Sequence, residues 1–429
     1  MNAPLIDDVI VRRVWDSRGR PTVEVEVRSE SGSGRAIAPS GASTGSGEAA
    51  ERRDGGARLG GYDVREVVDR AGPLVRNALR GLPLFDQRAI DARLRELEPD
   101  KHRAVLGANV TIAASMAVAW AAAAVKGEPL WRYLSDGRVP SLPLPEIQII
   151  GGGAHADGRL DIQDLLVVCP GASSVAEALD WTAEVYLAAG SLLEAQGRRG
   201  GVADEGGWWP RFDCNEDALT LLTAAIERAG FSAPTQVAIA LDLAATQLWD
   251  GHLYHLRADD LKLDADGLSA VLVDWCVRYP IVSIEDPLAE DDPPGIAAFT
   301  RAVAGRVQVV GDDLLVTDAE VVRAIGSSVT TMLLKPNQAG TLTEAADALT
   351  AARAAGLTVI ASARSGESED VTIAHLAVGW GTEGLKVGSI TRGERTAKWN
   401  ELLRIEEAIG GPFVGRAALR GTSASNGKA

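Results

Sequence analysis

Residues 281–286 read IVSIED, an apolar run that ends on two acids. The second half of the chain contains six apolar runs, each of which leads to an acid, a lysine or an arginine. The others are VAIALD at 237–242, VQVVGDD at 307–313, TTMLLK at 330–335, LTVIASARS at 357–365 and GLK at 384–386. Stretches of helical composition separate most of them. A buried parallel strand is apolar along its length, and in a β/α barrel the reacting groups lie where the strands end. The pattern therefore predicts an enzyme built on a β/α barrel.

The composition narrows the class of protein. Of the 429 residues, 46% are hydrophobic and 24% are charged, as in ordinary soluble globular proteins. The formal net charge of −16 argues against a nucleic-acid partner, because the phosphates would be repelled. The three cysteines are scattered, which predicts neither a disulfide framework nor a zinc site and favours a reducing compartment.

Two segments bear on the location of the protein. The first residues, MNAPLIDDVIV, are acidic before they are apolar, so no signal peptide is predicted. The most apolar stretch, 110–125, is mostly alanine and is too short to span a bilayer comfortably, which favours a buried helix. We therefore predict a cytoplasmic protein with no membrane span.

The first 135 residues predict a small α+β domain. Valines alternate with acids in PTVEVEV at 21–27, as a strand with one solvent-facing side requires. The helical segments lie near 64–79, 86–97 and 109–126. Between the strands and the helices, PSGASTG offers only small residues, which predicts a flexible lid over 39–47.

Residues 140–420 predict the catalytic barrel. LPLPEIQII at 142–150 and DIQDLLVV at 161–168 are joined by too short a link for a helix, so they should pair as an antiparallel hairpin. Helices follow near 174–196 and 215–228, and then the six strand–helix units begin. The predicted fold is α/β, a small α+β domain followed by an irregular barrel of ββαα(βα)6 type.

Local signals predict two helix starts and the end of the fold. Thr317 with Glu320 and Thr341 with Glu344 both match a capping box, in which the side chains satisfy the first amides of a helix. The tail at 421–429 is small and polar, and we predict that it is disordered.

Three acids that end apolar runs should converge at one mouth of the barrel. Asp242, Glu285 and Asp312 would repel one another there unless they were protonated or bridged by a cation. Hard oxygen ligands that fill less than a complete coordination shell favour Mg²⁺, with water or substrate completing the octahedron. These residues are therefore predicted to be metal ligands.

Other polar side chains suit acid–base chemistry on an anionic substrate. Lys335 and Lys386 follow apolar runs, and a lysine beside a dication and another cation would have a lowered pKa and act as a general base. Glu205, in a glycine-flanked DEGG loop, could protonate a leaving hydroxide. Arg364 and Ser365 offer a planar donor and a hydroxyl to a phosphate.

The sequence resembles the enolase family along nearly its whole length. The segments that carry the resemblance are DSRGRPTVEVEV at 16–27, PSGASTG at 39–45, DEGG at 204–207, SIEDPLAEDD at 283–292, GDDLLVT at 311–317 and LLKPNQAGT at 333–341. The resemblance implies a Mg²⁺-dependent glycolytic lyase that interconverts 2-phosphoglycerate and phosphoenolpyruvate, with a lysine base. It also implies a homo-oligomer, either a dimer or an octamer.

The resemblance further implies a role for each site residue. Asp242, Glu285 and Asp312 would hold the Mg²⁺ that binds the substrate carboxylate, and Ser40 in the lid would meet a second Mg²⁺. Lys335 would remove the C2 proton.

The remaining implied roles concern the other groups of the substrate. Lys386 would stabilise the carboxylate, and Glu205 would assist departure of the C3 hydroxyl. The implied phosphate ligands are Arg364 and Ser365, and the residues implied to lie beside them at the substrate are His155, Gln163 and Asp164.

Four positions depart from the family pattern. Ala363 stands where the family has a histidine, Asp164 where it has a glutamate, and Gly151 and Ala154 where it has polar side chains. The resemblance implies that these positions lie on the side of the site that handles the leaving hydroxyl. Two alternatives follow: a paralogue that forms an enolate from a related phospho- or phosphono-carboxylate, or a catalytically silent homologue that binds a partner.

Overall fold

The computed structural model describes residues 4–98, 105–420 and 422. Its first part is a three-stranded antiparallel sheet followed by four helices. The strands are β1 (Asp8–Trp15), β2 (Pro21–Ser29) and β3 (Gly32–Ile37), and the helices are α1 (Arg65–Leu79), α2 (Gln87–Leu97), α3 (Ala108–Lys126) and α4 (Leu130–Ser135). The predicted tail at 421–429 lies outside the described residues, apart from Thr422.

The alternation in β2 follows from its two different faces. Val23, Val25 and Val27 are completely buried in the core. The acids between them face the other way, where Glu24 accepts a hydrogen bond from Arg12 of β1 at 3.0 Å. The apolar face of β2 needs an element to pack against, and α3 packs on this sheet.

The apolar composition of α3 is explained by packing. This 19-residue helix has a mean hydropathy of 1.6 over its most apolar window, and 83% of that window is buried inside the protein. Its contact with the sheet is close: a Cβ on Gly34 of β3 would lie 2.1 Å from the backbone nitrogen of Ala121. α3 is therefore a core helix of the fold.

The second part of the chain is a closed barrel of eight strands. They are β4 (Leu144–Gly151), β5 (Asp164–Val168), β6 (Ala238–Asp242), β9 (Ile281–Glu285), β10 (Gln308–Gly311), β11 (Thr331–Leu334), β12 (Thr358–Ser362) and β13 (Gly384–Ser389). A small hairpin of β7 (Tyr254–Leu256) and β8 (Leu261–Leu263) follows β6. The order around the barrel is β10-β11-β12-β13-β4-β5-β6-β9.

One strand makes the barrel irregular. β5 runs antiparallel to both of its neighbours, β4 and β6, whereas the other neighbouring strands are parallel. The predicted hairpin and the predicted ββαα(βα)6 barrel are therefore confirmed. Because β5 is reversed, its first residue, Asp164, pairs with the last residue of β6, Asp242.

The barrel helices agree closely with the sequence. They are α5 (Val175–Ala195), α6 (Asn215–Arg228), α7 (Ala265–Arg278), α8 (Pro293–Ala302), α9 (Ala319–Ile325), α10 (Pro336–Ala339), α11 (Leu342–Ala354), α12 (Thr372–Trp380) and α13 (Gly393–Ile409). All five helices that the sequence located by residue number are present, and each end lies within one residue of its predicted position.

One of the two predicted capping boxes is wrong. At α11 the hydroxyl of Thr341 accepts the amide of Glu344, as expected. At α9 the cap is Asp318 rather than Thr317, because the carboxylate takes the first free amides of the helix. Thr317 instead accepts a hydrogen bond from the amide of Lys335 at 2.9 Å, so it supports the loop after β11.

The end of the barrel opposite the strand-end acids is closed by the short 3-10 turn Gly415–Leu419. Ala418 and Leu419 pack in one apolar cluster with Leu144 of β4 and other strand starts. Gln308, the first residue of β10, donates to the carbonyl of Ala418 at 2.8 Å. We refer to residues 415–419 as the floor of the barrel.

Candidate active site

A cavity opens at the mouth of the barrel, where most of the strands end. Nine of the twelve site residues predicted from the sequence line it: His155, Gln163, Asp164, Glu205, Asp242, Lys335, Arg364, Ser365 and Lys386. Ala42 and Ser43 of the predicted lid also line it, so both parts of the chain form its walls. Glu285, Asp312 and Ser40 are not among its lining residues in the described part of the chain.

Lys386 joins two of the predicted metal ligands. Its Nζ, on β13, donates to Asp242 Oδ2 at 3.0 Å and to Glu285 Oε2 at 2.7 Å. Burial, and then repulsion from Asp242, raises the pKa of Glu285 well above its usual range. Burial alone would lower the pKa of Lys386, but the surrounding acids outweigh it and raise that pKa well above its usual value. The lysine is therefore held as a cation.

Lys335 is tied to the third predicted ligand. Its Nζ donates to Asp312 Oδ2, and Gln338 Nε2 donates to Asp312 Oδ1 at 2.9 Å. Burial would lower the pKa of Lys335, but the neighbouring acids, first Asp312 and then Glu285, together outweigh burial and the pKa is raised. The protein groups alone thus act against the lowered pKa expected from the sequence, an expectation that depended on a neighbouring dication.

A second acid at the end of β9 organises the residues after β10. The carboxylate of Asp286 accepts the amides of Asp312 at 3.0 Å and Asp313 at 2.9 Å. One oxygen from each of the three carboxylates lies within 4.8 Å of the others, close enough to hold a metal ion. Burial and repulsion from Asp312 raise the pKa of Asp313 to about 8. The sequence signal for Asp286 was the doubled acid in IVSIED, but no role had been assigned to it.

The donor set fits a hard divalent cation. Glu285 Oε1 is buried and has no hydrogen-bond partner among the described residues. A buried acceptor without a partner is costly, and a cation beside Asp242, Glu285 and Asp312 would satisfy it and offset their mutual repulsion. Oxygen ligands of this kind suit Mg²⁺.

His155 lies between two carboxyl groups on another side of the cavity. Its Nδ1 is 2.9 Å from Asp164 Oδ1, and its Nε2 is 3.8 Å from Glu205 Oε1. Burial would lower the pKa of His155, but the two acids outweigh burial and raise it to about 9. Burial raises the pKa of Asp164, but His155 and Lys386 outweigh it and lower it to about 2. The imidazolium and Asp164 form a buried ion pair.

The guanidinium of Arg364 donates hydrogen bonds to three residues around the cavity. Its guanidinium donates to Glu48 Oε2 at 2.9 Å, to Asn337 Oδ1 at 3.1 Å and to the carbonyl of Ser43 at 2.9 Å. The neighbouring Ser365 Oγ accepts from Arg18 at 3.2 Å. Sequence reasoning missed Glu48 and Arg18, because no local pattern connects them to a residue more than 300 positions away.

Ser40, which does not line the cavity, belongs to a separate hydrogen-bond network. Ser40 Oγ donates to Glu51 at 3.0 Å and accepts from Arg18 and Arg53, and the Ser40 backbone pairs with Gly366. Contact between Ser40 and a metal would therefore require movement of the lid.

Gln163 contacts Asp242, one of the predicted metal ligands. Its Nε2 donates to Asp242 Oδ2 at 3.0 Å, and its Oε1 accepts from Gln247. Gln247 thus orients the side-chain amide of Gln163, which in turn holds Asp242.

The four positions that depart from the family pattern have different surroundings. Ala363 is buried and lines both the main cavity and a second one. Ala154 is exposed. Gly151 has no room for a side chain, since a Cβ there would lie 2.5 Å from the Cβ of Ala203. Asp164 has replaced the longer acid and is in contact with His155.

The fold and the cavity define a class of protein: a two-part β/α-barrel enzyme whose strand ends bring acids, lysines and an arginine together. The chain matches the family model for the enolase N-terminal domain over residues 6–134, and that for the enolase C-terminal TIM barrel domain over residues 139–422. The chain belongs to the enolase family. Membership indicates a lyase-type enzyme that acts on a small molecule.

Proposed function

We propose that this protein is a Mg²⁺-dependent hydro-lyase that interconverts 2-phospho-D-glycerate and phosphoenolpyruvate. One observation carries the proposal: Lys335, Lys386, Arg364 and Glu205 line the same cavity. The substrate has a C2 proton next to its carboxylate, the carboxylate itself, a phosphate and a leaving hydroxyl. Each of these four features has a matching side chain in the cavity.

The first step is removal of the C2 proton by Lys335. The C–H bond breaks, the proton goes to Nζ, and the electron pair is delocalised into the carboxylate, which Lys386 stabilises by charge. Lys335 has to be neutral to accept the proton, and its burial favours that form once the charge of Asp312 is offset.

The residues proposed to hold Mg²⁺ are Asp242, Glu285 and Asp312, with Ser40 meeting a second ion after the lid moves. A bound Mg²⁺ supplies electrostatic stabilisation of the negative charge that develops on the carboxylate. The orphaned oxygen of Glu285 and the raised pKa of this acid support the assignment.

The second step is loss of the C3 hydroxyl. The electron pair at C2 forms the C2–C3 double bond, the C3–O bond breaks, and Glu205 donates a proton so that water leaves. The Nε2 atom of His155 lies 3.8 Å from Glu205 Oε1, beside the carboxyl group that gives up this proton.

The phosphate is bound by Arg364 and Ser365. A guanidinium presents paired N–H donors that match two phosphate oxygens. The carbonyl of Ser43 already contacts Arg364 at 2.9 Å, so the lid at 39–47 reaches the position where the phosphate binds. Movement of this segment would admit substrate and then exclude water.

The direct test is turnover of 2-phosphoglycerate by the purified protein with Mg²⁺, followed by the ultraviolet absorbance of the enol product. The wild type should form product, and chelation of the metal should stop it. Lys335→Met should lose both product formation and solvent-deuterium exchange at C2, whereas Glu205→Gln should lose dehydration by about 10²- to 10⁴-fold and keep exchange. A wild type with neither exchange nor product would refute the proposal.

A second candidate is an enolate-forming enzyme for a related phospho- or phosphono-carboxylate. The side of the cavity that handles the leaving group supports it, because Ala363 offers no polar side chain there and lines a second cavity as well. Deuterium exchange at C2 of 2-phosphoglycerate without dehydration would favour this candidate, and rapid product formation would exclude it.

The proposal extends to the setting of the enzyme. We infer a cytoplasmic glycolytic enzyme. Its assembly as a dimer or an octamer is what the resemblance to the enolase family implies. Sedimentation of the purified protein tests the assembly, and a monomer at micromolar concentration would contradict it.

A further inference from the structure

Gln148 is a fully buried polar residue in β4 whose amide is used at both ends. Its Oε1 accepts the amide of Gly207 at 2.7 Å, and its Nε2 donates to Asp164 Oδ1. Gly207 belongs to the DEGG loop, and Asp164 begins β5. One side chain therefore connects the loop that carries Glu205 to the strand that carries the partner of His155.

The connection continues through the imidazole. Asp164 Oδ1 receives both Gln148 Nε2 and His155 Nδ1, the latter at 2.9 Å. The opposite ring nitrogen, Nε2, is 3.8 Å from Glu205 Oε1. An Asp164 oxygen fixed by Gln148 holds His155 through Nδ1 and orients the other ring nitrogen toward Glu205.

The backbone reinforces the same arrangement. The amide of Trp208 donates to the carbonyl of Ile149 at 2.8 Å, and the amide of Gly151 donates to the carbonyl of Trp208 at 2.9 Å. The DEGG loop is thus attached to β4 on its main chain as well. The side chain of Gln148 lies between these attachments and Asp164.

Two glycines leave the space that Gln148 occupies. A Cβ on Gly207 would lie 2.5 Å from Gln148 Oε1. A Cβ on Gly151 would lie 3.2 Å from Gln148 Nε2 and 2.5 Å from the Cβ of Ala203. Glycine at positions 151 and 207 therefore makes room for the Gln148 amide, which contacts Asp164.

We propose that Gln148 is a positioning residue for the leaving-group step. It holds Asp164 and the DEGG loop in register, so that His155 and Glu205 face each other across the cavity. This inference rests on the proposed function for its kinetic consequence, but the connection itself does not depend on the identity of the substrate.

The kinetic test compares Gln148→Leu with wild type on 2-phosphoglycerate and Mg²⁺ in deuterium oxide. A displacement of about 1 Å at a reacting group costs roughly 100-fold in rate, so dehydration should fall by about that factor. Exchange at C2 should be unchanged, because Lys335 is hydrogen-bonded to Thr317 and Asp312 and not to Gln148 in the described structure. The ratio of exchange to dehydration should rise; an unchanged ratio overturns the proposal.

A matched control and an isosteric variant separate positioning from general destabilisation. Gln308→Leu removes another buried amide of the barrel, at the floor, and should leave the ratio unchanged. Gln148→Glu keeps an acceptor for Gly207 but loses the donor to Asp164, so it should slow dehydration while the loop stays attached. Wild-type kinetics in Gln148→Glu would show that the contact with Asp164 has no role.

A measurement without turnover keeps the two proposals distinct. Hydrogen exchange of the Gly207 amide, followed by mass spectrometry, should be slow in wild type, Gln308→Leu and Gln148→Glu, and about 10-fold or more faster in Gln148→Leu. Equal protection in all four proteins would refute the positioning role. If the protection is lost as expected but wild type does not dehydrate 2-phosphoglycerate, the proposed function fails and the positioning role stands.

Discussion

Replacement of Lys386 by methionine tests whether the strand-end acids form a cation site. The change keeps the length and apolar stem of the side chain but removes the charge that contacts Asp242 at 3.0 Å and Glu285 at 2.7 Å. Removal of one partner from a buried ion pair costs about 3–5 kcal/mol. We expect a loss of this size in the free energy of unfolding when a chelator is present.

Mg²⁺ should restore much of that loss. A ligand at 100 times its dissociation constant stabilises the folded state by about 2.7 kcal/mol. The variant should gain more than wild type does, because two carboxylates have lost their only lysine partner among the described residues. The assay is urea unfolding of both proteins, with chelator and with increasing Mg²⁺.

Lys398→Met provides the matched control. Lys398 is completely buried and pairs with Glu367 at 3.0 Å, outside the strand-end acids. Its loss should destabilise the protein comparably, but Mg²⁺ should not restore the stability. Equal rescue of both variants, or rescue of neither, would refute a cation site at Asp242 and Glu285.

Three further predictions concern single side chains. Burial raises the pKa of Glu146 to about 7 from 4.5, so the folded state holds a proton that the unfolded chain has lost, and stability should fall as pH rises between these values. In urea unfolding across pH, Glu146→Gln should remove this slope and exceed the wild-type stability above pH 7 by up to about 3 kcal/mol. Asp164→Asn should lower the pKa of His155 from about 9, since it removes the nearer acid, and an unchanged midpoint in a proton NMR titration would contradict this. Ala363→His should keep or increase the turnover of 2-phosphoglycerate, because the residue faces a cavity on each side; an inactive variant that is still folded would count against this reasoning.

The elements and the position of the site could be predicted because their signals are local. The apolar runs and helical segments predicted the order of strands and helices along the chain. The acids at the ends of the runs do lie at one mouth of the barrel. Even the reversal of β5 followed from a short link. These features depend on periodicity and on chain distance, which a single sequence contains.

The contacts within the site could not be predicted in the same way. Glu48 reaches Arg364 and Gln148 reaches Gly207 across long separations in the chain, and no periodic pattern identifies such pairs. The capping error at Thr317 has a related cause, because Asp318 next to it is an equally good acceptor and packing selects between them.

The floor of the barrel has a consequence for the order of folding. β13 closes the ring by pairing with β4, the first barrel strand, and residues 415–419 seal the interior only after that. Such distant pairings are slow to form, because their loop entropy is lost before contacts compensate for it. A nascent chain would therefore hold an incomplete ring, with the apolar ends of its strands uncovered, from the synthesis of β4 until residues 415–419 have been made.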